Sequence, residues 1–317
     1  MQGGWAVTVH SRRASPKRVR LGWTIVAIVT VVVGVMTSAC GASTGPAAAH
    51  TPNVAPGSSA GTASSAGTAS SASTVSPAST HRAAAQAIGT ASSRAPALPL
   101  AGKIVGIDPG HNGRNYTDPA FIDHQVWNGL EWEDCDTTGT ETDAGYTEAL
   151  FNFRVATFLR GDLVHDGARV VMTRPGNDGV GPCVTTRAQI INDSRANVAV
   201  DIHADGGPPS GRGFTILEPV ADGPNNAVIA SSEQFGADVR QAFLSGTSMP
   251  ESTYDGYHGI DPRDDLAGLN LTSVPKVLVE CGNMRNATDA ALLITTAFQQ
   301  QVARALEAAI IHFLSQR

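Results

Sequence analysis

Residues 103–111 read KIVGIDPGH, an apolar stretch that runs directly into a turn and a histidine. Its β-branched residues predict a short strand, which the Pro-Gly pair then ends. Two later segments follow the same plan: NVAVDIH at 197–203 ends in a histidine, and KVLVE at 276–280 ends in a glutamate. Each of these three strands therefore carries one chemically active side chain at its carboxyl end.

Helical and extended patterns alternate along the rest of this region. Apolar spacing predicts helices over 146–164, 185–192, 227–244 and 287–314, and further strands over 169–173 and 213–218. Such alternation predicts an α/β fold with a single, mostly parallel or mixed sheet and helices on both faces. Ligands of such sheets gather at the carboxyl ends of the strands, so we expect His111, His203 and Glu280 to meet there.

The first 98 residues have a different composition. Residues 1–40 combine a basic start, an apolar run and small residues before Cys40, which predicts an export signal. Lipidation at Cys40, plain signal cleavage and an uncleaved anchor are all compatible with this pattern, so any membrane contact is expected only through residues 21–40. Residues 41–98 consist almost wholly of Ala, Ser, Thr, Gly and Pro and predict a disordered tether.

Residues 99–317 have the apolar content of one sizeable domain, which we expect to be monomeric. They carry 15 basic against 28 acidic side chains, a formal charge of −13. This balance excludes a nucleic-acid-binding surface of the usual basic kind. Export favours disulfides, and we expect Cys135 to pair with Cys183 because both lie in Gly-, Pro- and Thr-rich segments. Cys281 follows an apolar strand and is expected to remain a thiol.

Two imidazoles and a carboxylate suit a catalytic zinc, which commonly keeps a fourth position for water. The candidate carboxylates near His111 and His203 are Glu131, Glu133, Glu141 and Glu148. Glu148 is favoured, since it opens a predicted amphipathic helix. Glu280 suits a general base, although a fourth ligand of a closed structural site is an alternative. Asp108 and Asp201 are candidate partners of the imidazoles.

Four segments together resemble the zinc N-acetylmuramoyl-L-alanine amidases of the type-3 family, in a small secreted single-domain form. They are DPGHNG at 108–113, GYTE at 145–148, IHAD at 202–205 and VECGNMRN at 279–286. The resemblance implies one zinc on His111, Glu148 and His203, with Glu280 as the catalytic residue. Arg187 matches an arginine of the family, and Asn283 and Asn286 lie in the glutamate segment as candidate site or substrate residues.

The resemblance further implies hydrolysis of the amide between N-acetylmuramic acid and L-alanine, with peptidoglycan or muramyl peptides as substrates in the cell envelope. Two alternatives are a zinc peptidase that cuts within the stem peptide and a non-catalytic, tethered peptidoglycan-binding lipoprotein. The segment 112–142, rich in aromatic and acidic residues, has a candidate metal ligand near each end. We therefore expect it to pass close to the metal and to control access.

Overall fold

The computed structural model describes residues 97–317. The export signal expected over 1–40, with Cys40, and all but the last two residues of the expected tether lie outside this range. In the described part, no helix has the length and apolar character needed to cross a bilayer.

The described residues form eight strands and seven helices. The strands are β1 (Ile104–Pro109), β2 (Gln125–Trp127), β3 (Trp132–Asp134), β4 (Arg169–Met172), β5 (Val198–Asp205), β6 (Thr215–Pro219), β7 (Ile260–Arg263) and β8 (Lys276–Asn283). The helices are α1 (Pro119–Ile122), α2 (Glu148–His165), α3 (Val184–Ser194), α4 (Ile229–Gly246), α5 (Ala267–Asn270), α6 (Ala287–Leu293) and α7 (Thr296–Ser315).

Six strands form one sheet in the order β4-β1-β5-β8-β6-β7. Strands β4, β1, β5 and β8 are parallel, and β6 pairs with β8 in the antiparallel direction. Helices α2, α4 and α7 pack on one face, while α3 and α5 cover part of the other. The predicted α/β fold with a mixed sheet is confirmed.

Side chains along the central strands alternate between the apolar core and the face that carries the candidate site residues. On β5, Val198, Val200 and Ile202 enter the main core beneath α2, while Asp201 and His203 take the opposite face. Strand β8 repeats this pattern, since its odd-numbered apolar residues enter the core and its even-numbered residues include a lysine and Glu280. One face of the sheet is therefore apolar and the other collects charge.

Two local predictions are wrong, and one segment has structure that was not predicted. The helix expected over 287–314 is two helices, because Thr295 caps α7 by accepting a hydrogen bond from the Phe298 N–H. Strands β5 and β8 run to Asp205 and Asn283, beyond their predicted ends. The segment 112–142, for which no regular elements were predicted, contains α1 and an antiparallel β2–β3 hairpin.

A disulfide joins Cys135 to Cys183, across 48 residues of sequence. It ties the end of the hairpin to the start of α3, and Cys281 is a free, buried thiol. Replacing both paired cysteines by alanine is expected to lower the free energy of unfolding by about 4 kcal/mol, since the unfolded chain regains the entropy of an open loop. Chemical denaturation of the oxidised parent and the variant measures this difference. Peptide mapping without reduction that finds Cys281 in a bridge would contradict the pairing.

Candidate metal centre and active site

His111 lies just beyond the end of β1, in a conformation that few non-glycine residues adopt. Its φ is 57°, in the left-handed region. Arg187 holds this turn, because its guanidinium donates to the carbonyl oxygens of Pro109 at 2.8 Å and His111 at 2.9 Å. Gly110 has to be glycine, since a Cβ there would stand 2.1 Å from the ring of His203. The strained turn brings the two imidazoles together.

Glu148, the first residue of α2, places its carboxylate between the two imidazoles. Its Oε1 lies 2.8 Å from Nδ1 of His203, and its Oε2 lies 3.2 Å from Nε2 of His111. The backbone N–H groups of Thr140 and Ala204 donate to the same carboxylate, at 2.9 Å and 3.2 Å. The three donor groups lie within 4.8 Å of one another. Of the four candidate glutamates, Glu148 is the one that the fold brings to the histidines.

The second nitrogen of each imidazole faces an acceptor. Nδ1 of His111 lies 3.2 Å from Oδ1 of Asp136 and 3.2 Å from the carbonyl oxygen of Thr137. Nε2 of His203 lies 3.3 Å from Oδ1 of Asp201. Outer acceptors of this kind fix the tautomer and ring orientation of metal-binding histidines. The other two nitrogens, Nε2 of His111 and Nδ1 of His203, face the carboxylate of Glu148.

A buried ion-pair chain connects these outer carboxylates beneath the site. Arg187 lies 3.1 Å from Asp136 and 3.2 Å from Asp108. Lys276 lies 2.9 Å from Asp108 and 3.4 Å from Asp201. The chain thus runs from one histidine to the other through three carboxylates and two cations, all of them buried.

Asp108 therefore differs from its expected role, because it pairs with Arg187 and Lys276 and not with an imidazole. Asp201 does contact His203, as the sequence analysis expects. Sequence reasoning missed Asp136 and Lys276. Lys276 carried a usable signal, since it lies four residues before Glu280 on the same strand and therefore shares its face. Asp136 carried none, being one of several acidic residues in its segment.

The electrostatics of the centre favour positive charge. Burial disfavours the charged form of His111, yet the carboxylates of Glu148 and Asp136 outweigh it and raise its pKa to about 9. Burial also opposes charge on His203, but Asp201 and Glu148 raise its pKa well above the usual value. The pKa of Glu148 is lowered in spite of its burial, because both imidazoles face it. Such a field suits a divalent cation, and two imidazoles with one carboxylate are a donor set that fits catalytic zinc.

Glu280 is the carboxylate beside the donor groups, paired in register with His203 across β5 and β8. Its Oε2 is buried without a hydrogen-bond partner among the described residues. Burial, reinforced by the carboxylates of Glu148 and Asp205, raises the pKa of Glu280 well above its usual value, against the effect of His203. A buried carboxylate oxygen without a hydrogen-bond partner is unusual in a folded protein. At the wall of a cavity, it makes Glu280 a candidate to accept and donate a proton.

The cavity above the centre measures about 570 Å³ and includes both histidines, Glu148 and Glu280 in its wall. A second cavity of about 830 Å³ adjoins it, because Gly139, Thr140 and Gly206 line both. We call the two together the reaction groove. A groove of this size can hold a branched substrate.

Asn283 and Asn286 have a different place from the one expected. Asn283 donates to the carbonyl oxygens of Pro208 and Gly211, both at 2.9 Å. Asn286 caps α6 and donates to the carbonyl oxygen of Pro209 at 2.8 Å. Neither lines the reaction groove, and both brace the loop after β5.

Three comparisons with known proteins bear on this site. The Amidase_3 family model, described as N-acetylmuramoyl-L-alanine amidase, matches residues 105–312. The N-acetylmuramoyl-L-alanine amidase Rv3717 of Mycobacterium tuberculosis is 40% identical over 234 residues, which cover 74% of this chain and 95% of that protein.

Solved structures agree with this relationship. The N-acetylmuramyl-L-alanine amidase Ami1 from Mycobacterium smegmatis is 42% identical, with a TM-score of 0.65, and the match covers 69% of this chain and 99% of that one. The CwlD amidase from Clostridioides difficile is 20% identical, with a TM-score of 0.53 over 68% of this chain and 100% of that one, a likeness of fold alone. By sequence and by structure, the chain belongs to the N-acetylmuramoyl-L-alanine amidase family.

Proposed function

We propose that this chain hydrolyses the amide bond between N-acetylmuramic acid and the L-alanine of the stem peptide, with one zinc held by His111, Glu148 and His203. The observation that carries the proposal is the convergence of these three donor groups within 4.8 Å at the wall of the 570 Å³ cavity. When bound, zinc lowers the pKa of a coordinated water and polarises the scissile carbonyl.

The chain's own residues carry the proton. Glu280 accepts a proton from the attacking water, whose oxygen adds to the lactyl carbonyl carbon. The C–N bond then breaks, and Glu280 returns the proton to the departing amine of L-alanine. The products are a free lactyl carboxylic acid on the sugar and an intact stem peptide with a free amino terminus. Burial raises the pKa of Glu280 above its usual value. A raised pKa suits this exchange, because it makes the carboxylate a better proton acceptor than an exposed one.

Asp136 and Asp201 keep the two imidazoles in the orientation that the site requires. Around this catalytic domain, proposed over 99–317, we propose an exported protein that acts as a monomer on the cell wall. Residues 1–40 direct export, with lipidation at Cys40, signal cleavage or an uncleaved anchor as the possible outcomes, and residues 41–98 tether the domain.

A digest of a defined muramyl peptide tests the proposal. We expect the zinc-loaded full chain to release the intact stem peptide, detected by mass spectrometry as a new amino-terminal alanine. Activity is expected to be lost on chelation and recovered with zinc, since the water and the carbonyl both depend on the metal.

Cleavage within the stem would identify a zinc peptidase instead. Wall binding without any cleavage would favour a non-catalytic binding protein. Full activity after rigorous removal of metal would contradict the zinc assignment.

A further inference from the structure

The β2–β3 hairpin exposes two tryptophans side by side. Trp127 and Trp132 are opposite each other in the antiparallel register, with ring centroids 5.6 Å apart. Their exposed fractions are 47% and 64%. We call this surface the Trp face. Two neighbouring exposed indoles leave apolar surface in water, which costs free energy unless a ligand covers it. Trp side chains are highly buried on average, so such a pair indicates a binding surface.

The hairpin is held rigidly. Cys135, directly after β3, is tied by the disulfide to Cys183. On the side of the hairpin away from the Trp face, Oε1 of Glu133 accepts the backbone N–H of Ala267 at 3.0 Å. Its turn is closed by Asn128, whose Oδ1 accepts two backbone N–H groups, each at 2.8 Å. A surface fixed in advance loses little conformational entropy on binding.

The hairpin that carries the Trp face also borders the reaction groove. Glu133 and Asp134 both line the cavity above the proposed metal centre. Asp134 and Trp132 lie two residues apart on β3, so their side chains share one face of the hairpin, about 7 Å apart along the strand. Trp132, and then Trp127 opposite it, therefore follow Asp134 along the same face of the hairpin.

The chemistry of the hairpin narrows the class of ligand. Residues 125–134 contain three acidic side chains and no Lys or Arg, so anionic polymers and the carboxylates of stem peptides are repelled. Aromatic faces present broad apolar area. The amide of Gln125 donates to the carboxylate of Asp134, and the remaining oxygens of this pair can accept hydrogen bonds from hydroxyl groups. A neutral chain of pyranose rings, with apolar C–H faces and hydroxyl rims, meets both requirements.

We infer that the Trp face is a binding subsite for the glycan strand of the substrate, on the sugar side of the scissile amide. This inference rests on the proposed function. It deepens that function, because the enzyme then recognises the polymer in addition to the bond that it cuts.

The test compares two substrates. We expect the double variant Trp127→Ala/Trp132→Ala to lower kcat/KM by about 10–100-fold on peptide-bearing glycan strands, since two stacking contacts are lost. On a muramyl peptide with a single sugar, the same variant should stay within about twofold of the parent, since the effect of a lost contact is confined to substrates that make it. Trp127→Phe/Trp132→Phe is expected to restore most activity on the polymer. Tyr257→Ala is the matched control, because Tyr257 is 79% exposed and lies outside the hairpin.

Equal losses on both substrates would overturn the inference, since the hairpin would then act on the metal centre. Unchanged kinetics on both would also overturn it. A concentration-dependent dimer that the double variant no longer forms would assign the Trp face to a second copy of the chain. Co-sedimentation with chitin, an insoluble neutral polymer of N-acetylated pyranose rings, tests the face without turnover. If the parent cleaves neither substrate, the proposed function fails, and this binding assay decides the inference independently.

Discussion

Replacing Glu280 by glutamine is expected to reduce kcat by about 10²–10⁴-fold while the zinc content stays at one per chain. Glutamine keeps the size of the side chain but neither accepts nor returns a proton at neutral pH. Zinc should remain because His111, Glu148 and His203 form the donor cluster without Glu280. Turnover of a muramyl peptide and metal analysis of the same sample give both quantities.

Glu218→Gln is the matched control for this experiment. Glu218 lies on β6 and is half-buried, and burial with the nearby Glu233 raises its pKa to about 7, yet it does not line the reaction groove. We expect this variant to retain parental turnover and zinc. If Glu280→Gln loses zinc together with activity, Glu280 is a fourth ligand and the site is closed.

The second large effect is expected from Glu148→Ala, which should abolish activity because zinc is no longer retained. The carboxylate supplies one of three donors and lies between both imidazoles, at 2.8 Å and 3.2 Å. Loss of an outer partner of a ligand typically costs about 10–100-fold in metal affinity, so loss of a ligand itself should exceed about 100-fold. Competition with a chelator of known affinity measures the change.

Glu141→Ala provides the comparison, because Glu141 was a candidate ligand on sequence grounds and is exposed in the structure. Its side chain stands outside the donor cluster, so zinc affinity should be unchanged. The reverse pattern, with zinc lost on Glu141→Ala and kept on Glu148→Ala, would show that the wrong carboxylate had been chosen.

Much of the candidate site could be predicted from the sequence because His203 and Glu280 lie on regular strands and His111 closely follows one. The apolar runs at 103–107, 197–202 and 276–279 indicated buried strands, and a polar residue after each run indicated the functional edge. Parallel pairing of β1, β5 and β8 then brings the three ends together. The alternation of side chains along a strand predicts which residues share a face, since its period of two is set by the backbone and not by distant contacts.

The parts that sequence missed depend on contacts between distant segments. Lys276 and Asp108 are 168 residues apart and form a buried pair, which no local pattern encodes. The hairpin was hidden because its strands have three residues each, too few for alternation to register. The break between α6 and α7 was missed because apolar residues continue across it, although Thr295 offered a capping signal.

The buried ion-pair chain has a consequence for how this enzyme changes over evolutionary time. Removing one member of a buried pair strands a charge and costs about 3–5 kcal/mol, a large fraction of the stability of a domain. Asp108 pairs with both cations, so a neutral substitution of Arg187 or Lys276 removes one of its two partners and also the cation beside Asp136 or Asp201. A substitution at one of these positions therefore changes the electrostatic balance at the others, so we expect tolerated changes to involve several of them together. The candidate metal centre depends in this way on buried charges that lie beyond its three donor residues.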